Sequence, residues 1–196
     1  MKAKKFNSLA NLLFGAVLEP FGFSASESKY CTFYKKVNDS VYLFIMPDLA
    51  QGGSLCNIKV FFSSPLINPS FANTFPDDIA IPSDVYCFLH STEGVGFRQE
   101  LFPCDSDQQF KDIFEATVKR ALHDKALPYL SNFNEIKDMI PFIKTKFYLA
   151  VSLYITGQKN IANPILESEK SRLSNLNLQN EAVKIRLDFI DSIQSS

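Results

Sequence analysis

Pro65, Pro69, Pro76 and Pro82 recur through the stretch SSPLINPSFANTFPDDIAIPS, residues 63–83. Each proline ring fixes φ and removes a backbone donor, so this spacing excludes a regular helix or a central strand over the stretch. A loop this long inside a compact domain is either functional or disordered. Its apolar content (Leu66, Ile67, Phe71, Phe75, Ile79, Ile81) predicts an ordered one. The loop therefore divides the chain, and the segments on either side read differently.

Before it, KAKKFNSLANLLFGAVL carries Phe6, Leu9, Leu13, Ala16 and Val17 on one stripe at helical spacing, which predicts a docked amphipathic helix. Lys2, Lys4 and Lys5 ahead of an apolar run imitate a secretory signal, but Asn7, Ser8 and Asn11 interrupt the run, and no stretch reaches the length of a membrane span. Pro20 and Gly22 stop the helix, with Phe21 and Phe23 expected to pack beneath it. YCTFYKK (30–36) and SVYLFIM (40–46) follow as a β-hairpin around the turn residues Asn38 and Asp39, and SLCNIKVFF (54–62) as a third strand.

After the loop, DVYCFLH (84–90) and GFRQELF (96–102) read as a fourth and fifth strand bridged by STEGV. From Asp105 the pattern turns helical. An Asp or Ser cap opens a helix with Phe110, Ile113, Phe114, Val118, Ala121 and Leu122 on one face, which Pro128 ends or bends. Further helices are expected over 134–143, over FYLAVSLYITG with Gly157 as its cap, over 159–174, and to the carboxyl end with Ala182, Ile185, Leu187, Phe189 and Ile190 as apolar positions. Helix, strand meander, then helices is the order of an α+β fold, with an N-terminal helix, a largely antiparallel sheet of about five strands and C-terminal helices. The expected organisation is an α+β domain over 1–145 and a helical extension over 146–196 packed on the same domain.

Composition excludes several functional classes. With 196 residues, 46% hydrophobic, 21% charged and a formal net charge of −1, the chain can bury a core and has no basic footprint for nucleic acid. Cys31, Cys56, Cys87 and Cys104 form no C-x-x-C pair, so no zinc site is expected, and free cysteines in strands fit a reducing cytoplasm. Only Cys31, near Lys29 and Lys35, has an electropositive neighbourhood, and strand alternation predicts inert packing for it. No cofactor motif is present: HSTEGVG lacks the third glycine and the context of a nucleotide-binding turn. The carboxylates of DSD (105–107) read as helix capping rather than as metal ligands.

The charge is unevenly distributed. Residues 1–62 carry a net +3, residues 63–107 a net −6 and residues 108–196 a net +2. Asp77, Asp78, Asp84, Glu93, Glu100, Asp105 and Asp107 make up the acidic excess. Two readings stand: a solvated face, or a surface complementary to a basic partner protein. On the second, Phe71, Phe75, Asp77, Asp78, Asp84 and Glu93 are the partner-binding candidates, with aromatics as anchors and carboxylates steering encounter. A catalytic alternative would use His90 at a strand end with Ser91 and Glu93; a third would use the C-terminal helical hairpin around TGQKN as an adaptor surface.

Leu18, Pro20, Gly22 and Phe23, then Phe33, Tyr34 and Lys35, then Leu127, Pro128 and Leu130 together resemble a bacterial domain family of unknown function. That family opens with a helix, a Leu-x-Pro-x-Gly-Phe joint and a Phe-Tyr-Arg strand, with Lys35 here at the arginine position. The resemblance spans roughly residues 5–145. It implies an α+β domain without an agreed catalytic site, some members of which resemble immunity proteins encoded beside bacterial toxins. A non-enzymatic, cytoplasmic, immunity-type inhibitor that occludes a basic toxin domain is the expectation that follows.

Overall fold

The computed structural model describes residues 1–26, 31–69, 86–88, 101–143, 145–176 and 180–195. Helix α1 (Ala3–Leu18) is followed by β1 (Ser24–Ala25), β2 (Phe33–Asn38), β3 (Val41–Ala50), β4 (Leu55–Ser63), β5 (Tyr86–Phe88) and β6 (Phe102–Pro103). A long helical run, α2, covers residues 107–130, and α3 (Ile136–Met139), α4 (Lys146–Ile155), α5 (Lys159–Ser174) and α6 (Glu181–Gln194) complete the chain. The strands form one antiparallel sheet in the order β1-β2-β3-β4-β5, with β6 also on β4. This is the α+β arrangement that the sequence predicts. Among the described residues, no helix is long and apolar enough to cross a membrane.

The apolar stripe of α1 runs through Phe6, Ala10, Phe14, Val17 and Leu18; Leu9 and Leu13 are half-buried and Ala16 is exposed. The expected stripe is thus rotated by about one position, because the largest side chains set the buried face. Phe14 makes the central contact. Its ring lies 6.1 Å from Phe33 of β2 and 5.1 Å from Phe114 of α2, while Phe6 lies 5.2 Å from Phe110. The helix is wedged between the sheet and α2 by its phenylalanines, in the tilted and stacked arrangements that aromatic pairs favour.

α1 ends in a Schellman motif. The Phe23 N–H donates to the Leu18 carbonyl at 3.3 Å and the Gly22 N–H to the Glu19 carbonyl at 2.9 Å. Gly22 holds φ 81°, the left-handed conformation that the motif requires. The hydrophobic contact that accompanies the motif is supplied by Leu18 and Phe23, both buried. Phe21, expected beneath the helix, is instead 42% exposed with its ring edge-on to His123 at 5.5 Å. The motif turns only Phe23 inward.

Strand alternation is clean in the centre of the sheet. Val41, Leu43 and Ile45 of β3 and Cys56, Ile58, Val60 and Phe62 of β4 face the helices, in a cluster that continues to Ile190 of α6. The opposite face is also buried at its centre, where Phe44, Met46 and Phe61 form a second cluster. Phe44 and Phe61 are register partners with rings 4.7 Å apart and nearly parallel. Beyond them, Asp48 and Lys59 make a diagonal ion pair at 2.7 Å.

The fifth strand differs from expectation at its end, where it takes in Pro103 and leaves out Leu101. Among the described residues both late strands join β4: β5 at Lys59–Phe61 and β6 at Leu55 and Cys56. A nine-residue β4 leaves an outer edge long enough for both short strands in succession. α2 also differs, since it continues through Pro128 to Leu130. Two π turns, Phe114–Val118 and Leu122–Ala126, lie within it, and the Leu127 N–H reaches the Leu122 carbonyl. The wider turn relieves the clash of the Pro128 ring with the carbonyl four residues back. The helix stops one turn later, where Ser131 Oγ (2.7 Å) and Asn132 Nδ2 (3.1 Å) donate to the Pro128 carbonyl.

The C-terminal helices close over the same core. Leu166 and Leu173 of α5 and Val183 and Ile190 of α6 are buried, whereas Ala182, expected to be apolar-facing, is exposed. Polar bonds tie α5 to α6: Lys170 to Asp191 at 2.5 Å and Gln194 to Glu167 at 3.1 Å. Glu169, 4% exposed, is bonded by Arg172 from one turn on.

Phe14→Ala is expected to cost about 3–5 kcal/mol in urea unfolding, the range for a buried Phe, because it opens a cavity between three elements. Leu12→Ala on the solvent side of the same helix, where Leu12 is 67% exposed, should stay within about 0.5 kcal/mol. Equal effects at the two positions would contradict the stripe described here. Gly22→Ala should cost about 1–2 kcal/mol by forcing a Cβ into the left-handed region, read in the same way.

Candidate partner-binding surface

The acidic stretch 63–107 is fixed to one strand. At its start, Ser64 Oγ accepts from the Leu66 N–H at 3.1 Å, and the Ser64 carbonyl accepts from Ile67 and Asn68 at 3.2 and 3.0 Å. This tight turn drops Ile67 into the core at 1% exposure and leaves Leu66 43% exposed at the root of the segment. Midway, β5 returns to β4. At the end, β6 returns to it again, and the Cys104 N–H donates to the Ser54 carbonyl at 2.8 Å. The stretch therefore leaves β4 once and comes back to its outer edge twice.

Phe71, Phe75, Asp77, Asp78, Asp84 and Glu93, the six expected partner contacts, lie outside the described residues, as do His90, Ser91 and Glu100. Of the acidic set, Asp105 and Asp107 are described, and both sit at the start of α2. Ser106 Oγ caps the helix by accepting from the Gln109 N–H at 3.2 Å, and Gln109 Oε1 accepts in return from the Asp105 N–H at 2.8 Å. Asp107 occupies the first turn, where a carboxylate complements the helix dipole, and pairs with Lys5 of α1 at 3.0 Å. The capping reading of DSD holds, and Asp107 serves the fold as an α1–α2 tie.

A groove of about 700 Å³ opens beside the root of the acidic segment. Leu66, Ile136 and Ile155 supply its apolar part, while the β2–β3 turn, the start of α3 and the α4–α5 turn supply a polar rim. Hydrogen bonds hold the rim rigid. Asn38 Nδ2 donates across the groove to the Asn134 carbonyl at 2.9 Å, and Asn38 Oδ1 accepts from the Ser40 N–H at 2.8 Å. Asp138 Oδ2 accepts from the Asn134 and Glu135 N–H groups, both at 2.9 Å, in a capping box with Glu135. These two backbone donors hold the Asp138 carboxyl below its usual range. The rim charges are paired at the surface: Lys36 with Asp39 at 2.6 Å and Lys137 with Glu135 at 2.8 Å. Each lysine is shifted up, and Asp39 down, by its partner.

Each wall of this groove reads in the sequence as a local signal only: the turn VNDS, the helix start FNEIKD and the cap TGQK. Those segments lie far apart along the chain, and only the tertiary fold brings their caps to one rim. A second hollow, of about 500 Å³, lies between α1 and the end of β3. At its wall Cys31, buried, donates its S–H to Asn11 Oδ1 at 3.0 Å. Burial pushes the Cys31 thiol up to about 12, so it stays protonated at neutral pH and the inert reading of this cysteine holds. Among the described residues, no group of three or more His, Cys, Asp or Glu is placed to hold a metal ion.

The Asp138 cap generates a pH signature. A carboxyl with a folded-state pKa below its unfolded one, 3.8 here, contributes stability that is full above the unfolded value and fades as pH falls through the folded value. Asp138→Ala should therefore lower Tm at pH 7, and the gap to the parent should shrink as pH is taken below about 4. A gap independent of pH between 7 and 3 would remove the carboxylate as its cause. No known family model, no curated protein and no solved structure matches this chain.

Proposed function

We propose that this protein acts without catalysis, by binding another protein, as an immunity-type inhibitor in the bacterial cytoplasm that occludes the basic surface of a cognate toxin. The observation that carries the reading is the concentration of a net −6 in residues 63–107, on a segment that leaves β4 and is paired back to it at β5 and β6. Tethering at both ends lowers the ordering cost of a binding loop, so more of the contact energy appears as affinity. Asp77, Asp78, Asp84 and Glu93 raise the encounter rate with a cationic surface, and Phe71 and Phe75 supply the apolar anchors. The resemblance carried by Leu18, Pro20, Gly22 and Phe23 supports the same class.

Co-expression with the product of the adjacent gene tests the proposal. The expected result is a stable complex whose association rate falls at least about tenfold between low and high salt. Replacing Asp77 and Asp78 with Asn should slow association with little change in dissociation, whereas Phe71→Ala should speed dissociation by about tenfold or more. Absence of any complex, together with unchanged survival of a strain lacking the protein, would sink the proposal.

A further inference from the structure

Two cysteines meet at the base of the acidic segment. Cys56 on β4 and Cys104 just past β6 are both completely buried. The ladder pairs Leu55 with Pro103 and Cys56 with Phe102, and the Cys104 N–H donates to the Ser54 carbonyl. Cys104 thus stands opposite Ser54, two positions along from Cys56, and the two thiols are diagonal neighbours on the same face. Cys104 Sγ points back along this edge, toward the Gly53 carbonyl at 3.7 Å. Both cysteines are free thiols in this structure.

We propose that Cys56 and Cys104 form a reversible disulfide under oxidising stress, which staples β6 to β4 and locks the exit of the acidic segment onto the sheet. The strand that carries the reaction is weakly held. β6 has two ladder positions, and Pro103 at one of them has no N–H to give. A disulfide requires the Cβ atoms to come within about 4 Å, closer than a diagonal pair stands, and Cys104 lies beyond the strand's last residue, where release of its one N–H bond to the Ser54 carbonyl lets it close that gap. In the closed state burial raises both thiols above their ordinary values. Reaction therefore proceeds through fraying of β6, which exposes Cys104 and returns it toward ordinary thiolate chemistry.

With a peroxide as oxidant the step balances. The Cys104 thiolate attacks one peroxide oxygen, the O–O bond breaks, and the departing hydroxide takes the thiol proton as water, leaving a sulfenic acid. Cys56 sulfur then attacks the sulfenic sulfur. The S–S bond forms, the S–O bond breaks, and a second water leaves with the Cys56 proton. Two thiols lose two electrons, and the peroxide is reduced to two waters.

The test uses the full-length reduced chain in native buffer with hydrogen peroxide, followed by intact mass and a non-reducing peptide map. The expected result is a loss of about 2 Da, a linked pair of peptides containing Cys56 and Cys104, and a Tm higher by about 5–10 °C. All three should be reversed by dithiothreitol. Cys104→Ser should abolish the linkage and the Tm rise together. Should that variant not fold, the map of the parent chain decides alone. Cys56 and Cys104 both persisting as thiols, Cys104 ending as a sulfinic or sulfonic acid, or linkage to Cys31 or Cys87 instead would each overturn the proposal.

Discussion

The fold depends on β4 being buried on both faces and paired along both edges. Leu55–Ser63 reads LCNIKVFFS, and its alternate residues Cys56, Ile58, Val60 and Phe62 fill the helix-side core while Phe61 stacks on Phe44 behind it. One edge is paired with β3 over its whole length, and the other holds β5 and β6. From the helix-facing side, Phe62 meets Phe133 at 4.5 Å, which connects the strand to the loop after α2 and through it to Phe142. A strand in this position is ordered by every neighbour, so it can anchor strands as short as β5 and β6.

Much of this was legible in the sequence because local signals and tertiary fold agreed. The SVYLFIM and SLCNIKVFF alternations gave both central strands, and Gly157 ended α4 where expected, at φ 88°. Departures came where a tertiary contact outweighed a local pattern. In α1 the choice between two adjacent stripes was settled by Phe14 finding Phe33 and Phe114, which no spacing rule contains. Pro128 reads as an end or a bend of its helix, and a π turn ahead of it removes the steric reason for ending there. That β5 and β6 both pair with β4 is a matter of strand order, which alternation cannot encode.

The groove beside Leu66 was hidden for a related reason. Its rim is made of residues whose first duty is local: Asn38 bends a hairpin, Asp138 and Glu135 cap α3, and Thr156 ends α4 with its hydroxyl on the Ser152 carbonyl at 2.8 Å. Capping residues gather wherever element ends converge, and such a convergence leaves a preformed polar rim without any motif in the sequence. The Leu-Glu-Pro-Phe-Gly-Phe joint shows the converse. It is prominent in the sequence, yet its physical content is a helix stop: Gly22 supplies the left-handed residue, and Leu18 with Phe23 supplies the contact under it. A resemblance built on such a joint speaks for a shared fold more than for a shared activity.

The placement of charge follows from the same architecture. Seven carboxylates against one guanidinium in residues 63–107 repel one another, and that repulsion opposes any compact arrangement of the segment. Were such a stretch part of the central sheet, its self-repulsion would act directly on the core. Here the β2–β3–β4 strands precede it and the long helix follows it, and its described residues rejoin the fold at the turn at Ser64, at β5, at β6 and at the Asp107–Lys5 pair. Separating a self-repelling segment from the elements that fold the chain frees its composition from what the core tolerates.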